Sequence, residues 1–305
     1  MRRKIDYEKY NNTFNKDKDR DLIKLTYDEK FYKENPVVPD EYRGHLKNYH
    51  THTYRCNHGT GDIYDFCFKA LECGFDTIGF SEHNPFPDNK WLPDMRMDIG
   101  ELDDYINDIQ QGRKDFPELN LYIGLECDYR KEWDSFYSDY LLGEKKIEYL
   151  TGSVHVYPGK DGEYRGVHGE IMDRSMMDSY LKCMMDIIES GHFKYINHPD
   201  LFGQQLDKWT PEARAMSRYF IEAAKDKDIP LELNVSGICK KILHPDEKER
   251  LLYPIVQFWE EVADIGVKVI IGTDAHNPIR LDTNLWYGIK LANELGLNVI
   301  ESLDI

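Results

Sequence analysis

The chain is poor in cations, in paired cysteines and in long apolar runs. Its 305 residues carry 39 Lys and Arg against 56 Asp and Glu, a formal net charge of −17. That balance argues against a general binder of nucleic-acid backbones, whose affinity rests on clustered Lys and Arg. Six cysteines with no CxxC pair indicate neither a disulfide framework nor a zinc knuckle. No run approaches the ~18 apolar residues of a membrane helix, and the opening MRRKIDYEKYNN lacks the apolar stretch of a signal peptide. The expectation is a soluble, cytoplasmic protein with no nucleic-acid or membrane partner. Rossmann and Walker glycine patterns are also missing, since GTGDIY around Gly59 and Gly61 completes neither.

What is present is apolar material for one large core, including 21 Tyr and 13 Phe. Residues 1–44 are polar and Tyr-dotted and read as an extension laid on the main body; residues 45–305 read as one domain. Short apolar runs then alternate with amphipathic ones. Strands are expected over a run ending at 48–53 and at 76–83, 121–127, 147–155, 193–198, 231–237 and 267–276. Helices are expected near 61–73, 98–112, 132–143, 170–190, 211–226 and 255–264, with a last one ending at Gly296. A Gly-rich loop, 156–169, precedes the fourth of these. Pro254 lies either near the first turn of its helix or at a kink. Seven strand–helix units running one way predict an α/β fold of parallel strands with helical crossovers.

The histidines collect at the carboxyl ends of those strands, where parallel α/β folds build their sites. His50 and His52 are two apart on a strand and so point from one face. His58 follows in CNHGTG; His83, Glu126, His155 and His198 close the next four strands; Asp274 and His276 repeat the two-apart spacing after the seventh. Nine nitrogen and oxygen donors exceed the four of a tetrahedral zinc site and suit two or three ions bridged by a carboxylate. Zn, Mn and Fe all accept such donors. Cys56 and Cys127 flank the cluster but read as core thiols. Sites of this kind activate water and clamp attacking and leaving oxygens, and phosphoester hydrolysis is their natural use.

The motifs HTHTYRCNHGT, FSEHNPFP, GLECDY, SVH, NHPDL, ELNVSG and GTDAH closely resemble the PHP (polymerase and histidinol phosphatase) superfamily, and within it the histidinol-phosphatases. The resemblance spans about 48–280. It implies a distorted, TIM-like (β/α)7 barrel with a trinuclear metal centre. Motif by motif, it makes ligands of His50, His52, His58, His83, Glu126, His155, His198, Asp274 and His276, with Glu126 bridging. One departure is Asn57, where the histidinol-phosphatase branch often carries Pro in a CPHG turn; the superfamily at large often carries an SxDG turn.

The expected activity is hydrolysis of L-histidinol phosphate, a step of histidine biosynthesis, by a metal-bridging hydroxide. His50, His52, Glu126, Asp274 and His276 form its reacting centre, and His83 and His198 serve as ligands before they serve as acids. Arg165, His168, Asn234 and Arg280 are candidates to contact substrate or phosphate. Tyr54, Phe86, Trp91 and Tyr157 are candidate walls, and Asp88, Asp94 and Glu163 candidate anchors for an amine. The alternatives are a PHP phosphoesterase for a nucleotide, sugar phosphate or phosphotyrosine, and a non-catalytic metal-binding module. An amidohydrolase commonly needs a bridging modified Lys, and Lys194 and Lys268 sit too early in their strands. Oligomeric state stays open.

Overall fold

The computed structural model describes residues 38–90, 93–169, 171–239, 241–243, 249–251 and 253–305. Most of the expected N-terminal extension, and Trp91, therefore lie outside the described residues. Eight parallel strands form one curled sheet: β1 (Leu46–Asn48), β2 (Phe75–His83), β3 (Asn120–Asp128), β4 (Tyr149–Ser153), β7 (Phe193–Ile196), β8 (Leu231–Asn234), β11 (Lys268–Gly272) and β12 (Asn298–Val299), in that spatial order. The helices α1 (Ile63–Cys73), α2 (Leu102–Asp115), α3 (Arg174–Ser190), α4 (Pro211–Asp226), α5 (Val256–Ile265) and α6 (Leu285–Leu295) supply crossovers. Their limits follow local chemistry. Asp62 and Asp65 close a capping box at the start of α1, and Gly74 ends it at φ 81°. Thr210 caps α4 ahead of Pro211.

Several expectations are corrected in detail. The seven strands are joined by an eighth, β12, too short for any periodicity to reveal. The Gly-rich loop after β4 holds an antiparallel hairpin of β5 (Val156–Pro158) and β6 (Tyr164–Gly166), and a second hairpin pairs β9 (Lys241–Leu243) with β10 (Glu249–Leu251). The helix expected at 132–143 is a 3-10 turn, Lys131–Trp133, followed by a π-helical segment, Phe136–Glu144. β1 ends at Asn48, so His50 and His52 lie just past it. Pro254 stands just before the Ile255 N-cap of α5, near its first turn and not at a kink.

Strand residues alternate between helices and barrel interior. Ile78, Phe80, Leu121, Ile123, Leu125, Leu231, Leu233 and Val269 join the core beneath the helices. The other parity fills the inside in tiers. At the bottom, Tyr49, Tyr149, Tyr195 and Ile270 form a separate cluster, against which Ile300 and Leu303 pack. The Tyr149 and Tyr195 hydroxyls both donate to the Tyr49 carbonyl, at 2.8 and 2.9 Å. Glycine at 79 and 124 makes room, since a Cβ there would come within 2.3 and 2.2 Å of the Tyr149 side chain.

The seam between β1 and β11 is held differently. Thr51 bridges Ala275, and the His52 amide donates to the Ala275 carbonyl at 3.0 Å. Asn48, fully buried, accepts from the Thr273 amide at 3.0 Å and donates to the His50 carbonyl at 2.9 Å.

Candidate metal centre

Above the tyrosine tier, the interior-facing residues are almost all ionisable. Glu126 stands in the middle. Its Oε2 lies 3.4, 3.2 and 3.1 Å from ring nitrogens of His50, His52 and His83, and its Oε1 lies 3.6 and 2.9 Å from those of His155 and His198. Asp274 Oδ1 is 3.4 Å from Nε2 of both His50 and His52 and 3.3 Å from His276 Nδ1. The structure thus brings all nine expected ligands together. Five overlapping groups of three have donor atoms within 4.8 Å of one another: His58–His83–His276, His50–His52–Glu126, His50–His198–Asp274, His83–Glu126–His155 and His52–Cys56–His276. The Cys56 side chain has a backbone partner instead. Its thiol donates to the Thr53 carbonyl, and burial pushes it up to about 12.

Most of these rings have a second partner that fixes which nitrogen faces inward. Nδ1 of His58 and His276 meets the carbonyls of Cys56 and Asp274, at 2.7 and 3.0 Å. Nδ1 of His155 meets Asp128 and Nδ1 of His50 meets Glu232, at 3.2 and 2.7 Å. A proton held on Nδ1 leaves Nε2 with its lone pair toward the centre. Two of the candidate ligands sit on strained backbone: His198 and Asp274 have φ of 28° and 48°, and Asn57, beside His58, has φ 64°. Proline cannot take φ 64°, so Asn57 suits this turn where Pro does not.

The donor set fits cations. His50 Nε2 and His52 Nε2 are only 3.1 Å apart and fully buried. Among the described residues, buried Nε2 of His276 has no hydrogen-bond partner, an arrangement that is costly unless something accepts the lone pair. Among the protein groups alone, the cluster divides in two. Burial, and then its histidine neighbours, push His276 down to about 3; burial likewise lowers His58, and His83 well below its ordinary value. These three form a neutral nitrogen site. On the other side burial is overcome by carboxylates: Glu126 and Glu82 hold His52 up at about 9, and Glu232, Asp274 and Glu126 raise His50 well above its ordinary value. Burial would raise Glu126, but His50, His155 and His83 hold it well below the usual carboxylate range. A chain that gathers neutral imidazoles and ionised carboxylates in one dry place is built for more than one divalent ion.

The centre floors a cavity of about 440 Å³. His58, His83, Glu126, His155, His198, Asp274 and His276 line it, with His50 and His52 buried behind. Of the substrate-contact candidates, His168 and Arg280 line the cavity as well. Arg165 does not: on β6 it forks onto Asp161, at 2.9 Å to each oxygen. Asn234 sits below the cavity, donating to Glu232 and accepting from the Ser236 amide. None of the wall candidates Tyr54, Phe86 and Tyr157 lines the cavity; Phe86 instead lies beneath the Arg96 guanidinium. Asp88, Asp94 and Glu163 are exposed and away from it.

The residues missed are the inner carboxylates and their partners. Asp128 accepts from His155 and pairs with buried Arg96 at 3.0 Å; His155 first, and then the arginine, outweigh burial and hold that carboxyl at about 2. Glu82 accepts from the Thr53 amide and hydroxyl. Glu232 holds His50, and Tyr253 forms part of the cavity wall. Asp128 and Glu232 share strand parity with Glu126 and Asn234, which is the signal that finds them.

A parallel β/α barrel carrying a histidine and carboxylate centre at its strand ends defines a metal-site enzyme scaffold. A family model described as PHP domain matches residues 48–236, and the chain belongs to that family. It is 26% identical over 253 residues to a probable histidinol-phosphatase of Deinococcus radiodurans, covering 81% of this chain and 92% of the relative. It is 36% identical over 91 residues, 28% of this chain and 34% of the relative, to a histidinol-phosphatase of Bacillus subtilis. The fold matches the crystal structure of a Lactococcus lactis histidinol phosphate phosphatase complexed with zinc, L-histidinol and phosphate, with a TM-score of 0.60, 17% identity, and coverage of 86% and 99% of the two chains. Among the described residues, no helix is long and apolar enough to cross a membrane.

Proposed function

We propose that this protein is a metal-dependent phosphomonoesterase that hydrolyses L-histidinol phosphate to L-histidinol and phosphate. The observation that carries the reading is Glu126 set among five histidines on the floor of a cavity, in a chain whose full-length relative is named for that activity. His58, His83 and His276 would hold one ion. His50, His52, His155, His198 and Asp274 would hold the others, with Glu126 shared between them. When bound, such ions supply an activated water and offset charge growing on the phosphoryl oxygens. The chain's own residues do the rest. Carboxylates and carbonyls on the outer nitrogens keep the rings aimed. Arg280 and His168 offer donors to an anionic ester entering the cavity. Leu201, Val156 and the Tyr253 ring give apolar surface to its organic part.

Phosphate release from L-histidinol phosphate, by protein loaded separately with Mn, Zn or Fe, tests the reading. Glucose 6-phosphate, AMP and phosphotyrosine run beside it, with His276→Ala as background. The expected result is a kcat/KM of at least ~10⁴ M⁻¹s⁻¹ for histidinol phosphate, far above the rest. Weak activity spread over the panel would overturn the substrate and leave the hydrolase; none at all, in protein shown to hold its ions, would overturn both.

A further inference from the structure

We propose that Glu232 is a positioning residue of the metal centre, which locks His50 in the tautomer and orientation that metal binding requires. The proposal rests on the reading of His50 as a ligand. β8 contributes none of the nine ligands, yet it sends a fully buried carboxylate inward. Both oxygens are used. Oε1 meets His50 Nδ1 at 2.7 Å; Oε2 accepts from the His198 amide at 2.9 Å and from Asn234 Nδ2 at 3.0 Å. One side chain therefore fixes two arms of the centre, the segment after β1 and the strained turn after β7. His50 is its sole ion-pair partner among the described residues. Burying a carboxylate against a single imidazole is costly for a fold that has no other use for it.

The neighbouring strand is shaped around this carboxylate. Gly272 of β11 registers with Asn234, and a Cβ on it would lie 1.8 Å from Glu232 Oε1. Glutamine cannot replace the carboxylate. Its single amide oxygen serves either the ring N–H or the two donors on the other side, and its NH₂ then opposes whichever is left. If the NH₂ faces His50, the ring must carry its proton on Nε2, which removes the lone pair from the centre.

The test uses the full chain as wild type, Glu232→Gln, Gly272→Ala and His50→Ala, each titrated with zinc(II) alone. Bound ions are counted, and melts are recorded in chelator and in zinc. The histidine side-chain ¹⁵N shifts of His50 report its tautomer. The expected result is that Glu232→Gln melts near wild type in chelator but binds the ion at His50 about 10–100-fold more weakly, and that Gly272→Ala, which displaces the same carboxylate, weakens that ion too and also lowers the melt in chelator. In Glu232→Gln the His50 proton moves to Nε2. A folded Glu232→Gln with the wild-type zinc affinity and Nδ1 tautomer overturns the proposal. So does a Glu232→Gln that melts far below wild type in chelator too, which would make Glu232 a folding residue. If His50→Ala binds zinc as wild type does, the ligand reading itself has failed, and that outcome is separate from the other two.

Discussion

Glu126 is the side chain on which the other candidate ligands converge, and neighbouring histidines hold it well below the usual carboxylate range. Replacing it with Gln keeps its volume but removes the negative charge and one of the two oxygens that would face the ions. Because altering even an outer partner of a metal ligand costs ~10–100-fold, Glu126→Gln is expected to lower kcat/KM by at least ~100-fold and to reduce the bound-ion count. Steady-state kinetics with elemental analysis checks both. At the opposite extreme are the thiols. Burial pushes Cys56, Cys67, Cys73 and Cys183 up to about 12, and raises Cys127 well above the ordinary thiol value. At pH 8 only about one in 10⁴ is a thiolate, so these five are expected to resist iodoacetamide in the native protein and to react once unfolded, as site-resolved mass spectrometry would show.

Among the elements, the tyrosine tier under the centre makes the sharpest demand on sequence. Gly124→Ala drives a methyl group into the Tyr149 ring and is expected to cost at least ~1–3 kcal/mol in denaturant melts. Tyr149→Phe, which loses a buried hydroxyl shared between the Tyr49 and Phe80 carbonyls and leaves the Tyr49 carbonyl to Tyr195, is expected to cost about 1 kcal/mol. Element by element, strands with an apolar outer parity were plain in the sequence, and their histidine ends marked the site. β12 was not, because two residues carry no period and depend on the edge of β11. The π-helical segment was read as α-helix because the side-chain pattern over one or two turns is nearly the same. Asp128 and Glu232 were open to the rule that finds Glu126. Arg96 and Tyr253 come from loops, whose course no periodicity records. Arg165 was misplaced for the same reason: its loop folds into a hairpin that offers Asp161 first.

For the whole molecule, the buried carboxylates 82, 126, 128, 232 and 274 and six or more neighbouring rings make the centre a store of repulsion that cations relieve. Ions bound only by the folded state add about 2.7 kcal/mol per site at 100 times Kd. Chelation is therefore expected to lower Tm by at least ~5 °C, reversibly, as calorimetry with ions restored would show. The seam between β1 and β11 carries a further consequence. His50 and Asp274 meet across it at 3.4 Å although about 220 residues of chain separate them. A ribosome adding about 5–20 residues per second takes roughly 10–45 s to cover that distance. Through that interval the early histidines are made but have no opposite wall, so a nascent or prematurely ended chain cannot enclose its ions. Metal capture thus reports that translation has passed the last ligand.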